Sequence, residues 1–256
     1  MKGKFGSKGL PLLILLLGLA ALALRKALYA VATDVKDLLL KGHPLELALI
    51  GLSAAALVLV ALAAWKRKEA DCAVAIPSGN LPAAIGNLAA GAGILVTVLT
   101  QPAAMTNYLN MAWQIMGLAA PVCLLLMGAA RLLGKRPFFL FPVAVCLFFL
   151  VHIVTRYQFW SSNPQMQDYV FALLGAMALT FFGFYTAAME ADCGSPRMRY
   201  GMGLAAIYLC LGELARSSCP ALYLGGILWV LTELIGVRKE IKREFFPNKE
   251  GDYEAK

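Results

Sequence analysis

Eight blocks of about 20 apolar residues follow one another along the chain, and about 20 residues is the length that carries an α-helix across a hydrocarbon core of about 30 Å. Blocks of that length leave few structural options. Backbone amides in lipid must be satisfied within the protein, so helices and closed barrels are the spanning solutions, and unbroken apolar runs this long read as helices. Composition agrees, with 60% hydrophobic and 15% charged residues, against about 45–50% and about 25% in soluble domains. The segments between blocks are too short to hold a soluble enzyme domain or an ectodomain. The fold class is therefore an all-α integral membrane protein with eight transmembrane helices.

The spans are expected near Leu10–Ala23, Glu46–Trp65, Leu81–Thr100, Leu109–Met127, Pro137–Thr155, Asp168–Ala188, Tyr200–Ala215 and Ala221–Val237. Between the first two, Ala27 to Lys41 mixes apolar residues with Asp34, Lys36, Asp37 and Lys41, a pattern that suits a helix lying in the interface. Residues 1–9 form a basic tail and residues 238–256 a charged one.

Orientation follows from lysine and arginine, which concentrate in cytoplasmic loops. With the N-terminus inside, 17 of the 23 lie in inner segments and 6 in outer ones, so both termini are expected in the cytoplasm of a protein of the cell membrane. The same asymmetry accounts for the formal charge of +8, so no nucleic-acid surface is needed to explain it. One alternative is a signal peptide ending at Ala30-Val31-Ala32, but Arg25 and Lys26 stand where a cleavage region is normally uncharged.

An internal repeat is expected from three in-step matches, with coincidence in a chain dominated by Ala, Leu and Gly as the plainer alternative. Glu69-Ala70-Asp71-Cys72 after the second span matches Glu190-Ala191-Asp192-Cys193 after the sixth, at an offset of 121 residues. Ala48-Leu49-Ile50-Gly51 and Ala172-Leu173-Leu174-Gly175 match at 124, and Ala83-Ala84-Ile85 and Ala205-Ala206-Ile207 at 122. Two four-helix units, residues 10–131 and 137–237, follow from this reading. Each has an even number of spans, so the two would be parallel repeats about an axis along the membrane normal.

Polar side chains inside spans are the functional suspects, because lipid offers them no partner. Asn87 and Gln114 are placed to join the third and fourth spans, a structural contact between neighbours of the kind polar residues make in membranes. Glu233, near the inner end of the last span, is expected to reach Arg238 or the headgroups. His152 and Arg156 share a helix face at i, i+4, and Glu213 and Arg216 lie at i, i+3. If the fifth and seventh spans meet, these four make an outward-facing site with two cations and one carboxylate, suited to a small anionic ligand or a lipid headgroup. His152 adds a group that ordinarily titrates near neutral pH. The plainer alternative makes Arg156, with its flanking aromatics, an interfacial anchor and Glu213 the helix partner of Arg216.

No catalytic signature accompanies these residues. His43 and His152 belong to no metal-binding spacing, the serines lack a nucleophile-elbow context, and no phosphate-binding loop occurs. Six cysteines contain no Cys-x-x-Cys pair, and Cys72 and Cys193 lie beside acidic residues that oppose thiolate formation. The expected function is thus transport or small-ligand binding without metal or cofactor. A non-catalytic scaffold is the alternative, and an intramembrane enzyme using Glu213 or His152 is the weakest reading.

Overall fold

The computed structural model describes residues 5–32, 42–66, 80–101, 108–161, 169–191 and 193–235. It is all-helical over those residues, with eight helices: α1 (Phe5–Val31), α2 (Pro44–Lys66), α3 (Leu81–Thr100), α4 (Tyr108–Leu132), α5 (Leu140–Trp160), α6 (Val170–Glu190), α7 (Pro196–Glu213) and α8 (Pro220–Ile235). The first six are long and apolar enough to cross a membrane. Helix α8 is apolar but only 16 residues long, and α7 carries Arg197, Arg199 and Glu213 within its 18.

Local chemistry sets many of the helix ends. Asn80 caps α3, its Oδ1 accepting from Ala83 N at 3.3 Å, with Pro82 in the first turn where no backbone donor is missed. Gly134, at φ +67°, ends α4 in the left-handed conformation that glycine adopts without penalty. Its N–H and that of Lys135 close back on Arg131 O and Ala130 O. Asn80 N also donates to Arg131 O at 3.2 Å, tying the start of α3 to the end of α4.

Six of the helices close a circuit. Each of α3 to α8 packs on the next, and α8 returns to pack on α3. Helix α1 lies along α7, and α2 packs on both α1 and α7. Successive helices reverse direction, as the contacts show: Ala84 meets Gly128 across α3 and α4, Pro142 meets Gly183 across α5 and α6, and Arg199 meets Glu233 across α7 and α8. We call the end where odd-numbered helices begin the proximal end and the opposite one the distal end.

Helix α7 is the spine of this arrangement. Thirteen of its 18 residues are buried, so it has almost no lipid-facing stripe of its own. By contrast, Leu16, Leu47, Ile50, Leu62, Ile115 and Val122 on the surrounding helices are all more than half exposed, a surface that water would not tolerate and lipid would.

Close approach rests on small residues, most clearly where α3 crosses α8. A Cβ on Gly225 would stand 2.8 Å from Ala89 O and 3.0 Å from Ala90 Cα, and one on Gly93 would collide with Ala221 O. Backbone cannot step aside for such atoms, so these glycines permit the contact that closes the circuit.

The first helix departs from expectation. The stretch read as interfacial begins inside α1, which continues through Arg25 and Lys26 to Val31, because Arg25 finds a buried partner and no longer has to end the span. Residues 33–41, both tails (1–4 and 236–256) and the Glu69–Cys72 copy of the repeated motif lie outside the described residues. Two neighbour pairs recur between the halves, α1–α2 with α5–α6 and α3–α4 with α7–α8, but not all do. Under a two-fold, the α3–α8 contact would have an α4–α7 counterpart and α1–α7 an α3–α5 one, and neither is among the packed pairs.

We expect Gly225→Ala to destabilise the protein in detergent by about 1–3 kcal/mol, the usual cost of overpacking. Gly51→Ala, with open space around the new methyl group, should be neutral or stabilising by up to about 1 kcal/mol. Denaturant unfolding in mixed micelles compares the two, and equal effects would contradict the packing described.

Candidate functional site

Four charged side chains from four helices meet at the proximal end. Arg131 closes α4, Glu190 ends α6, Arg199 lies in the first turns of α7, and Glu233 is in the last turn of α8. Arg131 Nη2 donates to Glu190 Oε1 at 2.6 Å, and Arg199 Nη2 donates to Glu233 Oε2 at 2.7 Å. Arg131 Nε stands 3.4 Å from Glu233 Oε1, an electrostatic contact without hydrogen-bond geometry that links the two pairs. No side chain of the four is more than 5% exposed.

Neighbouring polar groups extend this layer. Arg199 Nε donates to Thr186 Oγ1 at 3.1 Å, and its guanidinium lies over the Phe182 ring at 5.2 Å. Asn87 on α3 donates through Nδ2 to Ala83 O at 2.8 Å and to Glu233 Oε1 at 3.4 Å. The layer thus touches five of the six helices of the circuit. Two arginines and two glutamates balance in charge, which is how ions survive at such depth; the desolvation cost of each is offset only by a close partner.

The distal end holds a second ionic contact. Arg25 Nη1 of α1 donates to Glu213 Oε2 at 2.9 Å and to Gly212 O at 2.8 Å, meeting both the carboxylate and a terminal carbonyl of α7. Tyr29 accepts from Arg25 Nη2 at 3.2 Å, and the guanidinium also lies 4.8 Å from the centre of the Phe171 ring. Helix α7 therefore ends in a buried ion pair at either side of the bundle, with the apolar Leu204, Ile207 and Leu211 between them.

The four residues expected to share an outward site all lie at this distal end, but in two groups. Helix α6 packs between α5 and α7. On the α5 side, Arg156 donates to Cys219 Sγ at 3.3 Å and lies 5.9 Å from the Trp113 ring. His152 Nδ1 accepts the Trp113 indole N–H at 3.1 Å. That contact occupies the ring nitrogen as an acceptor, so the imidazole is held against Trp113 of α4 and does not face Glu213. On the α7 side, Glu213 pairs with Arg25 of α1, and Arg216 lies over the Tyr29 ring at 5.0 Å. Tyr223 of α8 is buried, and its hydroxyl donates to Ala172 O of α6 at 3.2 Å.

The residues read as intramembrane polar contacts also find other partners. Asn87 reaches Glu233 of α8, while Gln114 lies toward the distal half of α4, on the helix that also carries Trp113. Glu233 turns inward to Arg199 and Arg131, and Arg238 lies outside the described residues. Three members of the proximal layer, Arg131, Glu190 and Arg199, were missed as site residues because each follows or precedes a loop and counts there as an ordinary flanking charge. The available signal was length: α4 continues five residues past Met127 as Gly-Ala-Ala-Arg-Leu, which carries Arg131 inside.

Among the described residues no group of three or more His, Cys, Asp or Glu is placed to hold a metal ion. Comparison of the chain with protein-family models, with curated proteins and with solved structures gives no match.

Glu233→Ala is expected to cost about 3–5 kcal/mol, because it strands Arg199 in the core, and Arg25→Ala should fall in the same range by stranding Glu213. Arg156→Ala loses a thiol acceptor and an aromatic contact, worth about 1–2 kcal/mol. Unfolding curves in one detergent rank the three, and an Arg156→Ala cost equal to that of Arg25→Ala would overturn the assignment.

Proposed function

We propose that this chain is a transporter-like protein of the cell membrane, with eight transmembrane spans and both termini in the cytoplasm, that binds and moves a small polar or charged solute. The reversal of successive helices supports eight spans, since a chain that alternates direction seven times has eight passes to offer the bilayer. At about 1.5 Å per residue α7 and α8 reach about 27 and 24 Å, short of a 30 Å core but sufficient where neighbouring helices and bilayer thinning make up the rest. The proximal end, with Lys66, Arg131, Lys135, Arg136, Arg197 and Arg199, is the more basic and is read as cytoplasmic. A parallel duplication rests on the in-step sequence matches alone, and nothing in the transport reading depends on it.

The observation that carries the reading is the pair of buried ionic contacts at the two ends of α7. A bundle built only for rigidity is served as well or better by apolar residues of similar volume, since buried ion pairs recover their desolvation cost poorly. Charges kept at that cost mark intramembrane function. Two contacts at opposite ends of one helix suit alternating access: parting one opens that end while the other stays closed. Arg156, whose partners among the described residues are a thiol and an aromatic face, is the cation best placed to meet a small anionic ligand or lipid headgroup at the distal side. The reading involves neither catalysis nor a cofactor nor nucleic acid. A scaffold role is the second reading, favoured by the mutual charge balance of the proximal layer, which suits a bundle with one state.

Cys210, fully buried one turn below Glu213, is a native reporter. In a variant that keeps Cys210 as its single cysteine, Glu213→Gln should raise labelling by a membrane-impermeant thiol reagent from the distal side by about tenfold, the shift produced by roughly 1.4 kcal/mol. Glu233→Gln should raise labelling from the proximal side instead. Labelling unchanged in both variants would leave a one-state scaffold.

A further inference from the structure

The proximal layer is balanced in charge but not in hydrogen bonds. Glu233 is fully engaged: Oε2 accepts from Arg199, and Oε1 accepts from Asn87 and faces Arg131. Glu190 is not. Its Oε1 holds Arg131 at 2.6 Å, but Oε2 is buried with no hydrogen-bond partner among the described residues. Asn87 Oδ1 is in the same condition, fully buried and unbonded. Both of these atoms are acceptors, and a buried acceptor without a donor is costly, the more so when it is charged; Arg131 Nε is an unsatisfied donor in the same layer, but it faces Glu233 Oε1. What Glu190 Oε2 lacks among the described residues is a donor.

We propose that Glu190 Oε2 is a proton-binding position, and that proton occupancy there controls the closed state of the proximal end. The groups facing Glu190 are Arg131 of α4, Arg199 of α7 and Glu233 of α8. Helix α5, also packed on α6, brings only the apolar run Leu140 to Val145 over its proximal turns. Two guanidinium groups so close repel a metal cation, and three convergent carboxylate, thiol or imidazole ligands are lacking among the described residues. A proton needs neither room nor a coordination shell. It removes one negative charge from a buried carboxylate oxygen that no described donor meets.

The consequence follows from the count of charges. With Glu190 neutral, Arg131 and Arg199 share the single carboxylate of Glu233, and the layer carries a net positive charge in a dry setting. Water or an anion entering from the proximal side relieves that imbalance, so protonation loosens this end. This second step rests on the transport reading, whereas the proton site itself does not.

Infrared difference spectroscopy of the full-length protein in lipid nanodiscs, between mildly alkaline and mildly acidic buffer, tests the site. We expect the C=O stretch of one buried protonated carboxylic acid, absent from Glu190→Gln, retained in Glu233→Gln and moved in frequency in Glu190→Asp, which serves should the Gln variant fail to fold. No such band in the unsubstituted protein, or one that survives Glu190→Gln and vanishes in Glu233→Gln, overturns the proposal. Proximal labelling of Cys210 gives the second arm, with Glu190→Gln expected to raise it about tenfold, or roughly 1.4 kcal/mol. A band assigned to Glu190 with unchanged labelling keeps the proton site and refutes its control of closure. Labelling that responds to Glu233→Gln and Glu213→Gln without any band keeps the transport reading and refutes the proton site.

Discussion

An arginine inside a bundle that faces lipid has to be met by a carboxylate or by a row of carbonyl groups, because the surroundings supply nothing else. That requirement organises this protein. Arg199 at the start of α7 fixes Glu233 of α8, Arg131 draws the ends of α4 and α6 together through Glu190, and Arg25 brings α1 to the far end of α7. Helix α7 is the element on which these contacts converge, and it is also the helix with the least lipid-facing surface. Its charged ends make it a poor solitary span and its burial makes that harmless, since the neighbouring helices act as its solvent.

Close packing makes the pairing possible. Guanidinium and carboxylate groups meet at 2.6–2.9 Å only if the helix axes come near each other. Gly203 of α7 lies against Val230 and Leu234 of α8, just beyond the Arg199–Glu233 pair. Gly128 sits a turn before Arg131, against Ala84 and Asn87 of α3. Just inside the proximal layer, Phe182 and Trp229 meet edge to face at 5.1 Å, with Phe182 also under the Arg199 guanidinium. Polar layers at the ends, with apolar residues between them, give α7 two places where contact can be broken without unpacking the core.

Much of the helical plan was legible in the sequence. Prolines and asparagine mark the starts of α3, α7 and α8, and hydropathy places most helices within a few residues of where they lie, because span length is a local property. Pairing is not local. Glu213 has Arg216 three residues away, and the helix rule favours that partner, yet Arg25, 188 residues distant, takes the carboxylate because α1 lies along α7. His152 and Arg156 do share a face, but what that face meets, Trp113 of α4 and Cys219 before α8, depends on which helices are neighbours. The second copy of the Glu-Ala-Asp-Cys motif supplies Glu190 to the charge layer, a role its sequence match did not announce.

A charge-reversal cycle on Arg199 and Glu233 examines the central interaction most directly. Arg199→Glu and Glu233→Arg are each made alone and then together, and unfolding free energies are compared in one detergent. Both single reversals are expected to be severely destabilising and the double variant to recover much of the loss, with a coupling energy of about 2–3 kcal/mol, the upper range for residues in contact. Additivity within about 0.3–0.5 kcal/mol, the behaviour of independent sites, would show that these side chains do not meet and would contradict the account at its base.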